Sequence, residues 1–368
     1  MQTTAAVVRA KGEPFTIEEL ELDAPQDDEV LVRVVAAGLC HTDIFIRDQH
    51  YPTPLPMVLG HEGAGVVEAV GSRVTKVAPG DHVALSYLSC GGCANCQAGL
   101  PTYCHQFFAC NFSGLRLDGS TTLSHDGEPV HGSFFSQSSW ATYALANERN
   151  VAKVPKDVPL ELLGPLGCGI QTGAGTVMNN LRPRVGSSLA VFGVGSVGMS
   201  AVMAAPLVGC TTIVAVDPNE ERRVLALELG ATHAVDPFAG DPVEEIRQLT
   251  GGGAQYTVEA TGLPPVLRQA VDSLASAGIC ALIGAAPLGA EVAIDMSMML
   301  ATGRTLRGVV EGDSVPDVFI PALIELYRQG RFPFDRLVTF YDLADVNRAA
   351  EDSEHGRVVK PVLRMPAA

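Results

Sequence analysis

Basic side chains are scarce in this sequence: 25 Lys and Arg stand against 41 Asp and Glu, a formal net charge of −16. A chain with no basic surplus has little to offer a phosphate backbone or an anionic lipid surface, so neither nucleic acid nor membrane is expected as a partner. Charged residues are only 18% of the chain and hydrophobic residues 47%, which excludes disorder by composition. Internal repeats and low-complexity linkers are missing, and the 38 glycines and 24 prolines follow no collagen-like period. The opening MQTTAAVVRAKGEP lacks a basic stretch followed by an apolar one, so no signal peptide is expected. A chain of 368 residues is long enough for roughly two to three domains, each with a core.

Charge is absent altogether from Val185 to Val216, a stretch that superficially resembles a membrane span. Five glycines and one proline interrupt it. A buried strand, a tight turn and a buried helix explain it better. From about Ser187 onward, strand-like runs (SLAVFGV, TIVAVD, THAVD, QYTVEATG, GICALIGA, TLRGVVEG) alternate with helical ones such as NEERRVLALELG and DPVEEIRQLTG. That alternation predicts a parallel, doubly wound α/β sheet. The first hundred residues instead carry short apolar or alternating runs separated by Gly, Pro and Asp, which predicts antiparallel strands in a barrel-like fold. After Val310 a helix, a strand, a short helix and a last strand in VVKPVLRM are predicted, so the α/β block is expected as an insertion. The expected division is 1–169 for a β-rich catalytic domain, 170–310 for a Rossmann domain and 311–368 for a return to the first.

The block begins with Gly193-Val194-Gly195-Ser196-Val197-Gly198 between a strand and a helix. Its glycines permit a tight turn, close backbone approach to a pyrophosphate, and helix–strand packing. The helix N-terminus adds free amides and a positive dipole end. Asp217 ends the next strand, 24 residues after Gly193, where a carboxylate accepts ribose hydroxyls and repels a 2′-phosphate, so NAD is the expected cofactor. Arg222 and Arg223 are candidates to bracket the adenosine end.

Nine cysteines without a secretion signal point to metal ligation in a reducing cytoplasm rather than to disulfides. Cys90, Cys93, Cys96 and Cys104, at spacings of 2, 2 and 7 intervening residues, suit a closed tetrahedral structural zinc. A second set, Cys40, His61 and Cys168, is dispersed, and spacing alone does not assemble it. Two thiolates and one imidazole leave a fourth position open, as a catalytic zinc requires. Cys110, Cys210 and Cys280 are most simply packing residues.

The pieces GLCHTD (Gly38–Asp43), GHEGAG (Gly60–Gly65), the four-cysteine loop, GCGIQTG around Cys168 and GVGSVG together resemble the zinc-dependent medium-chain alcohol dehydrogenases over essentially the whole chain. Within that family HGSFFSQSSWATYA, CGIQTGAG and KPVLRM look most like the aryl- and allylic-alcohol branch. The resemblance implies a Rossmann domain inserted in a GroES-like barrel, two zinc ions per subunit, NAD, and a homodimer or homotetramer. It makes Cys40, His61 and Cys168 the catalytic zinc ligands and Glu62 a nearby carboxylate. Thr42 becomes the hydroxyl facing the alcohol, and Thr172 a neighbour of the nicotinamide. His41 and Lys360 fall where the family places cationic pyrophosphate contacts. Phe134 and Phe135 fall on the substrate wall, with Tyr51 and Val310 as neighbours. Many relatives carry a proton-relaying His five residues after the first zinc-ligand Cys; here Phe45 stands there, so a different proton exit is expected, with His50 a candidate. The implied reaction is the reversible oxidation of a primary aromatic or allylic alcohol to its aldehyde. A short-chain aliphatic alcohol dehydrogenase, a glutathione-dependent formaldehyde dehydrogenase and a zinc- and NAD-binding protein without turnover stay open beside it.

Overall fold

The computed structural model describes residues 1–366; Ala367 and Ala368 lie outside the described residues. The chain forms two compact units, one made of Met1–Cys168, Val315–Glu325 and the segment from Asp335, the other of Gly169–Ser314 and Leu326–Phe334.

The first unit is β-rich. Strands β1 (Gln2–Val8), β2 (Thr16–Leu22), β3 (Glu29–Gly38), β4 (Met57–Val58), β5 (Gly63–Val70), β6 (His82–Leu85), β7 (Leu123–His125), β8 (Glu128–Val130), β9 (Tyr143–Asn147) and β10 (Val151–Val154) come from its long N-terminal part. One sheet runs β4-β1-β2-β7-β8. Its sequence logic is clear in β2, where Leu20 and Leu22 are buried between exposed Glu19 and Glu21, the period of two of a half-buried strand. The second sheet is centred on β3, which pairs with both β5 and β9. Three short helices interrupt the strands: α1 (His41–Arg47), α2 (Ala94–Gln97) and α3 (Phe107–Phe112).

The second unit opens with α4 (Gly169–Gly175), which continues into a π-helical turn, Thr176–Leu181. Six parallel strands follow: β11 (Ser188–Phe192), β12 (Thr212–Val216), β13 (His233–Val235), β14 (Ala254–Glu259), β15 (Leu274–Leu282) and β16 (Thr305–Gly308). Their order is β13-β12-β11-β14-β15-β16, so the chain crosses over between β13 and β14. The connections carry α5 (Ser196–Leu207), α6 (Glu220–Glu228), α7 (Pro242–Leu249), α8 (Pro264–Asp272) and α9 (Met296–Thr302). The uncharged run is thus β11, a turn, α5 and β12. Every residue of β11 is buried, which is why its sequence shows a continuous apolar run and no alternation.

After α10 (Pro316–Arg328), the strands β17 (Val338–Asp342) and β18 (Lys360–Arg364), with α11 (Val346–Glu354) between them, complete the first unit. The return comes later than the sequence suggests. Residues 311–314 group with the second unit because they are bonded to α4 and its π-turn, and Leu326–Phe334 group there too.

Register places the site. β18 pairs with the end of β3 (Val362 opposite Gly38) and β5 pairs with it on the other side (Gly63 opposite Ala37). Cys40 lies just past β3, His61 and Glu62 just before β5, and Lys360 begins β18, so one corner of the sheet gathers all four. Trp140 seals that corner: it is fully buried, its Nε1 donates to the Gly38 carbonyl (3.2 Å), and it meets Phe15 edge to face at 5.1 Å. Trp140→Ala is expected to destabilise the protein by about 3–5 kcal/mol, read as a lower denaturant midpoint; an unchanged midpoint would show that the corner does not depend on it.

Candidate active site

One ligand atom from each of Cys40, His61, Glu62 and Cys168 lies within 4.8 Å of the others. Local structure fixes each. Cys40 caps the N-terminus of α1, and its backbone N–H donates to Asp43 Oδ2 (2.9 Å). The other oxygen of Asp43 accepts from the Gly60 N–H (3.1 Å) and lies 2.9 Å from His61 Nδ1. A carboxylate only accepts, so Nδ1 carries the hydrogen and Nε2 is left as a lone-pair donor. Nε2 is buried and has no hydrogen-bond partner. Gln137 clamps the backbone here, donating to the His61 carbonyl (2.9 Å) and accepting from the Gly63 N–H (3.1 Å). Cys168 follows the tight turn Gly164–Gly167, whose last carbonyl takes the Ser86 hydroxyl at 2.6 Å.

Electrostatics calls for a cation. The Cys40 thiol is held well below its ordinary range, first by a hydrogen bond with Cys168 and then by His61, against the cost of burial. Burial opposes charging the His61 ring, yet the Asp43 charge and hydrogen bond outweigh it and hold His61 well above its usual value. A buried cluster that draws protons off sulfur and onto imidazole is one a divalent ion can occupy by displacing those protons. An orphaned Nε2 beside two sulfurs, with its Nδ1 held by a carboxylate, fits zinc.

Lys360, which the resemblance places at a pyrophosphate contact, sits on Glu62 in this structure. Its ammonium is fully buried and donates to both oxygens of Glu62 (2.9 and 2.8 Å) and to the Leu39 carbonyl (3.2 Å). All three donors are used in these contacts. Burial raises the Glu62 carboxyl against the opposing Lys360 charge. For Lys360, burial is outweighed by Glu62, and the ammonium is held above its ordinary value.

Around the metal cluster, Thr42 is half-buried with Oγ1 3.7 Å from Cys40 Sγ. The buried rings of Phe134 and Phe135 stand 5.4 and 4.5 Å from the His61 ring. Phe112, at the end of α3, packs on both at 5.9 and 5.2 Å, and Tyr51 meets Phe112 at 6.0 Å. His41 and His50 are exposed and lie on Phe45 at 4.8 and 4.9 Å.

The sulfur atoms of Cys90, Cys93, Cys96 and Cys104 also lie within 4.8 Å of one another. Tetrahedral Zn–S bonds of about 2.3 Å require sulfurs roughly 3.8 Å apart, and the Cys93–Cys96 and Cys90–Cys96 separations are 3.5 and 4.0 Å. Amides of Cys90, His105 and Gln106 already point at these sulfurs (3.2–3.5 Å), as anionic thiolates favour. α3 starts three residues after Cys104, so this loop delivers Phe107 and Phe112 to the aromatic wall.

In the second unit, the glycine turn joins β11 to α5, with Gly195 as the helix cap. Gly193 has φ +82°, and a Cβ on Gly198 would sit 1.9 Å from the Gly193 carbonyl oxygen, so both positions demand glycine. A Cβ on Gly195 would approach nothing closer than Arg222 Nη1 at 4.0 Å; that open face over a helix N-terminus suits a pyrophosphate. Asp217 directly follows β12, with Oδ2 on the Val194 N–H (2.9 Å) and Oδ1 on the Asn219 N–H (2.9 Å), tying the acid to the turn. Val197 lies in the first turn of α5. Arg223 is committed to the Asp217 and Pro218 carbonyls and to Asp236. Thr172 is buried on α4, and Val310 is partly exposed before the 311–313 turn.

Residues 26–156 match the alcohol dehydrogenase GroES-like domain, and residues 196–328 match the zinc-binding dehydrogenase domain. Geraniol dehydrogenase of Castellaniella defragrans is 48% identical over 98% of this chain and 96% of its own. The chain belongs to the zinc-dependent medium-chain alcohol dehydrogenases. Two crystal structures agree over the full length of both chains: an alcohol dehydrogenase zinc-binding domain protein from Burkholderia ambifaria (TM-score 0.98, 60% identity) and benzyl alcohol dehydrogenase from Acinetobacter calcoaceticus (TM-score 0.96, 49%).

Sequence reasoning assigned no role to Asp43, Gln137, Phe112 or Glu311. For Asp43 a signal was available, since it lies three residues after Cys40 in the first turn of a helix, the place of a capping acid. Asp43→Asn is expected to weaken zinc binding by about 10–100-fold, measured by metal transfer to a chromophoric chelator; wild-type retention would show that Asp43 does not orient His61. His50→Ala is expected to alter the pH–rate profile if that ring receives the proton, and an unaltered profile removes it from the exit route.

Proposed function

We propose that this chain is a zinc- and NAD-dependent dehydrogenase of primary aromatic and allylic alcohols, converting alcohol and NAD+ to aldehyde, NADH and a proton, and back. The observation that carries the reading is the aromatic wall: Phe134 and Phe135 stand directly on the ring of a metal-ligand histidine, backed by Phe112. A planar, conjugated substituent next to the carbinol carbon stacks on such a wall and stabilises the developing carbonyl, whereas a short alkyl chain leaves it partly uncovered. The names of the relatives, geraniol and benzyl alcohol dehydrogenase, support the same class.

Cys40, His61 and Cys168 would hold a zinc with one open position, and the four-cysteine loop a second zinc without one. Bound there, the first would supply Lewis acidity toward the alcohol or carbonyl oxygen, and NAD held at the glycine turn would supply the redox partner. The chain's own residues do the rest. Asp43 keeps His61 in the tautomer that leaves Nε2 available. Thr42 offers a hydroxyl beside Cys40 Sγ to take a hydrogen bond from the alcohol and pass on its proton. Phe45 cannot continue that relay, because a phenyl ring carries no exchangeable proton. Lys360 holds Glu62 by both oxygens, so that carboxylate supplies fixed charge. The α5 N-terminus and Gly195 receive the pyrophosphate, and Asp217 disfavours a 2′-phosphate, which selects NAD over NADP.

We also infer a homo-oligomer. β16 is an edge strand with exposed residues, and α9 beside it presents Met296 and Leu300 at 84% and 86% exposure, a surface that favours cover by a second copy. Among the described residues no cysteine forms a disulfide, which suits a reducing cytoplasm. Among the described residues no helix is long and apolar enough to cross a membrane.

The test is NADH formation across benzyl, cinnamyl, geranyl and linear alcohols, with and without a chelator. The expected result is kcat/KM for the conjugated alcohols at least about tenfold above ethanol, ~1.4 kcal/mol of transition-state discrimination, and loss of activity on chelation. A flat profile overturns the substrate class; full activity after verified removal of zinc overturns the mechanism.

A further inference from the structure

Three successive residues of the second unit hold left-handed backbone: Glu311 at φ +49°, Gly312 at +63° and Asp313 at +49°. Glycine adopts this freely; Glu and Asp do so under strain, and such strain persists only where neighbours enforce it and clusters where a side chain must be aimed. The neighbours here are the π-helical turn after α4. Asn179 Nδ2 donates to the Gly312 carbonyl (3.2 Å), and Asn180 Nδ2 donates to Asp313 Oδ2 (2.6 Å). A π-helical turn is itself uncommon and concentrates at functional sites. The outcome is a buried carboxylate: Glu311 is 6% exposed, and its Oε2 accepts from Gln171 Nε2 (3.1 Å) and Thr172 Oγ1 (3.4 Å).

Its place in the fold gives this carboxylate meaning. The 311–313 turn follows β16, and all six strands are parallel, so it leaves the sheet at the same carboxyl edge as the Gly193–Gly198 turn. A doubly wound sheet binds a dinucleotide along that edge, one mononucleotide over each half, with the switch between halves beside the glycine turn. Asp217 directly follows β12 on one side of the β11–β14 pair, and β16 lies on the other. The half containing β16 is therefore the one left for the nicotinamide nucleotide. Gln171 and Thr172 lie on α4, which presses on the first turn of α5: a Cβ on Gly173 would sit 1.9 Å from the Val197 carbonyl oxygen. Glu311 is thus tied through α4 to the turn that receives the pyrophosphate.

We propose that Glu311 is a positioning residue for the oxidised nicotinamide, fixing Thr172 and Gln171 while its buried charge favours NAD+ over NADH. The nicotinamide ring is cationic in NAD+ and neutral in NADH, and a fixed negative charge in a poorly hydrated site discriminates between them far more than it would in water. The inference rests on the NAD reading given above.

The experiment measures dissociation constants of the zinc-loaded protein without substrate, NADH by its fluorescence and NAD+ by calorimetry, for wild type, Glu311→Gln and Glu311→Asp. In Glu311→Gln the ratio of the NAD+ to the NADH dissociation constant is expected to rise about tenfold, ~1.4 kcal/mol, while Glu311→Asp, which keeps the charge, stays near the wild-type ratio. Glu311→Asn tolerates left-handed backbone and supplies the same neutralisation should the Gln variant not fold. An unchanged ratio, whether both constants hold or both move together, overturns the inference and leaves NAD binding standing. A wild-type protein that binds neither dinucleotide overturns both.

Discussion

The buried carboxylate of Asp43 is the constraint on which the first unit's chemistry depends. One side chain takes the amide of Cys40, the amide of Gly60 and the Nδ1 hydrogen of His61, so two candidate metal ligands from segments some twenty residues apart are set by a single group. The surroundings are unbalanced without a cation: one buried ammonium, Lys360, faces Glu62 near two cysteine sulfurs, with Asp43 behind the imidazole. Burying thiolates is costly, and a divalent ion bound by the two sulfurs and Nε2 would offset that cost. Metal affinity and local folding are therefore one quantity here.

The second unit works by backbone approach instead of charge. Gly193 and Gly198 let strand and helix meet so closely that only hydrogens fit between them, and Asp217 is tethered to the same turn. α4 starts immediately after Cys168 and packs against α5.

Legibility in the sequence followed the range of the interaction. The four-cysteine loop and the glycine turn are local patterns whose chemistry is contained in their spacing, and the alternation of apolar runs with helical ones outlines the parallel sheet. Cys40, His61 and Cys168 come together through the pairing of β3 with β5 and the turn before α4, which spacing does not encode; only the resemblance joined them. Lys360 was named only through the resemblance, as a pyrophosphate contact; the register of β18 against β3, which delivers its ammonium to Glu62, leaves no local trace in the sequence. Phe112 escaped because its place on Phe134 and Phe135 arises from the four-cysteine loop that carries α3 toward them. Glu311 escaped because an acid in a left-handed turn leaves no periodic trace.

Anomalous diffraction at the zinc edge from crystals of the protein addresses the central claim most directly. The account predicts a peak within about 2.1 Å of His61 Nε2 and about 2.3 Å of the Cys40 and Cys168 sulfurs, with Glu62 still on Lys360. A peak confined to the four-cysteine loop, or a metal held by Nδ1 with Asp43 displaced, would contradict it.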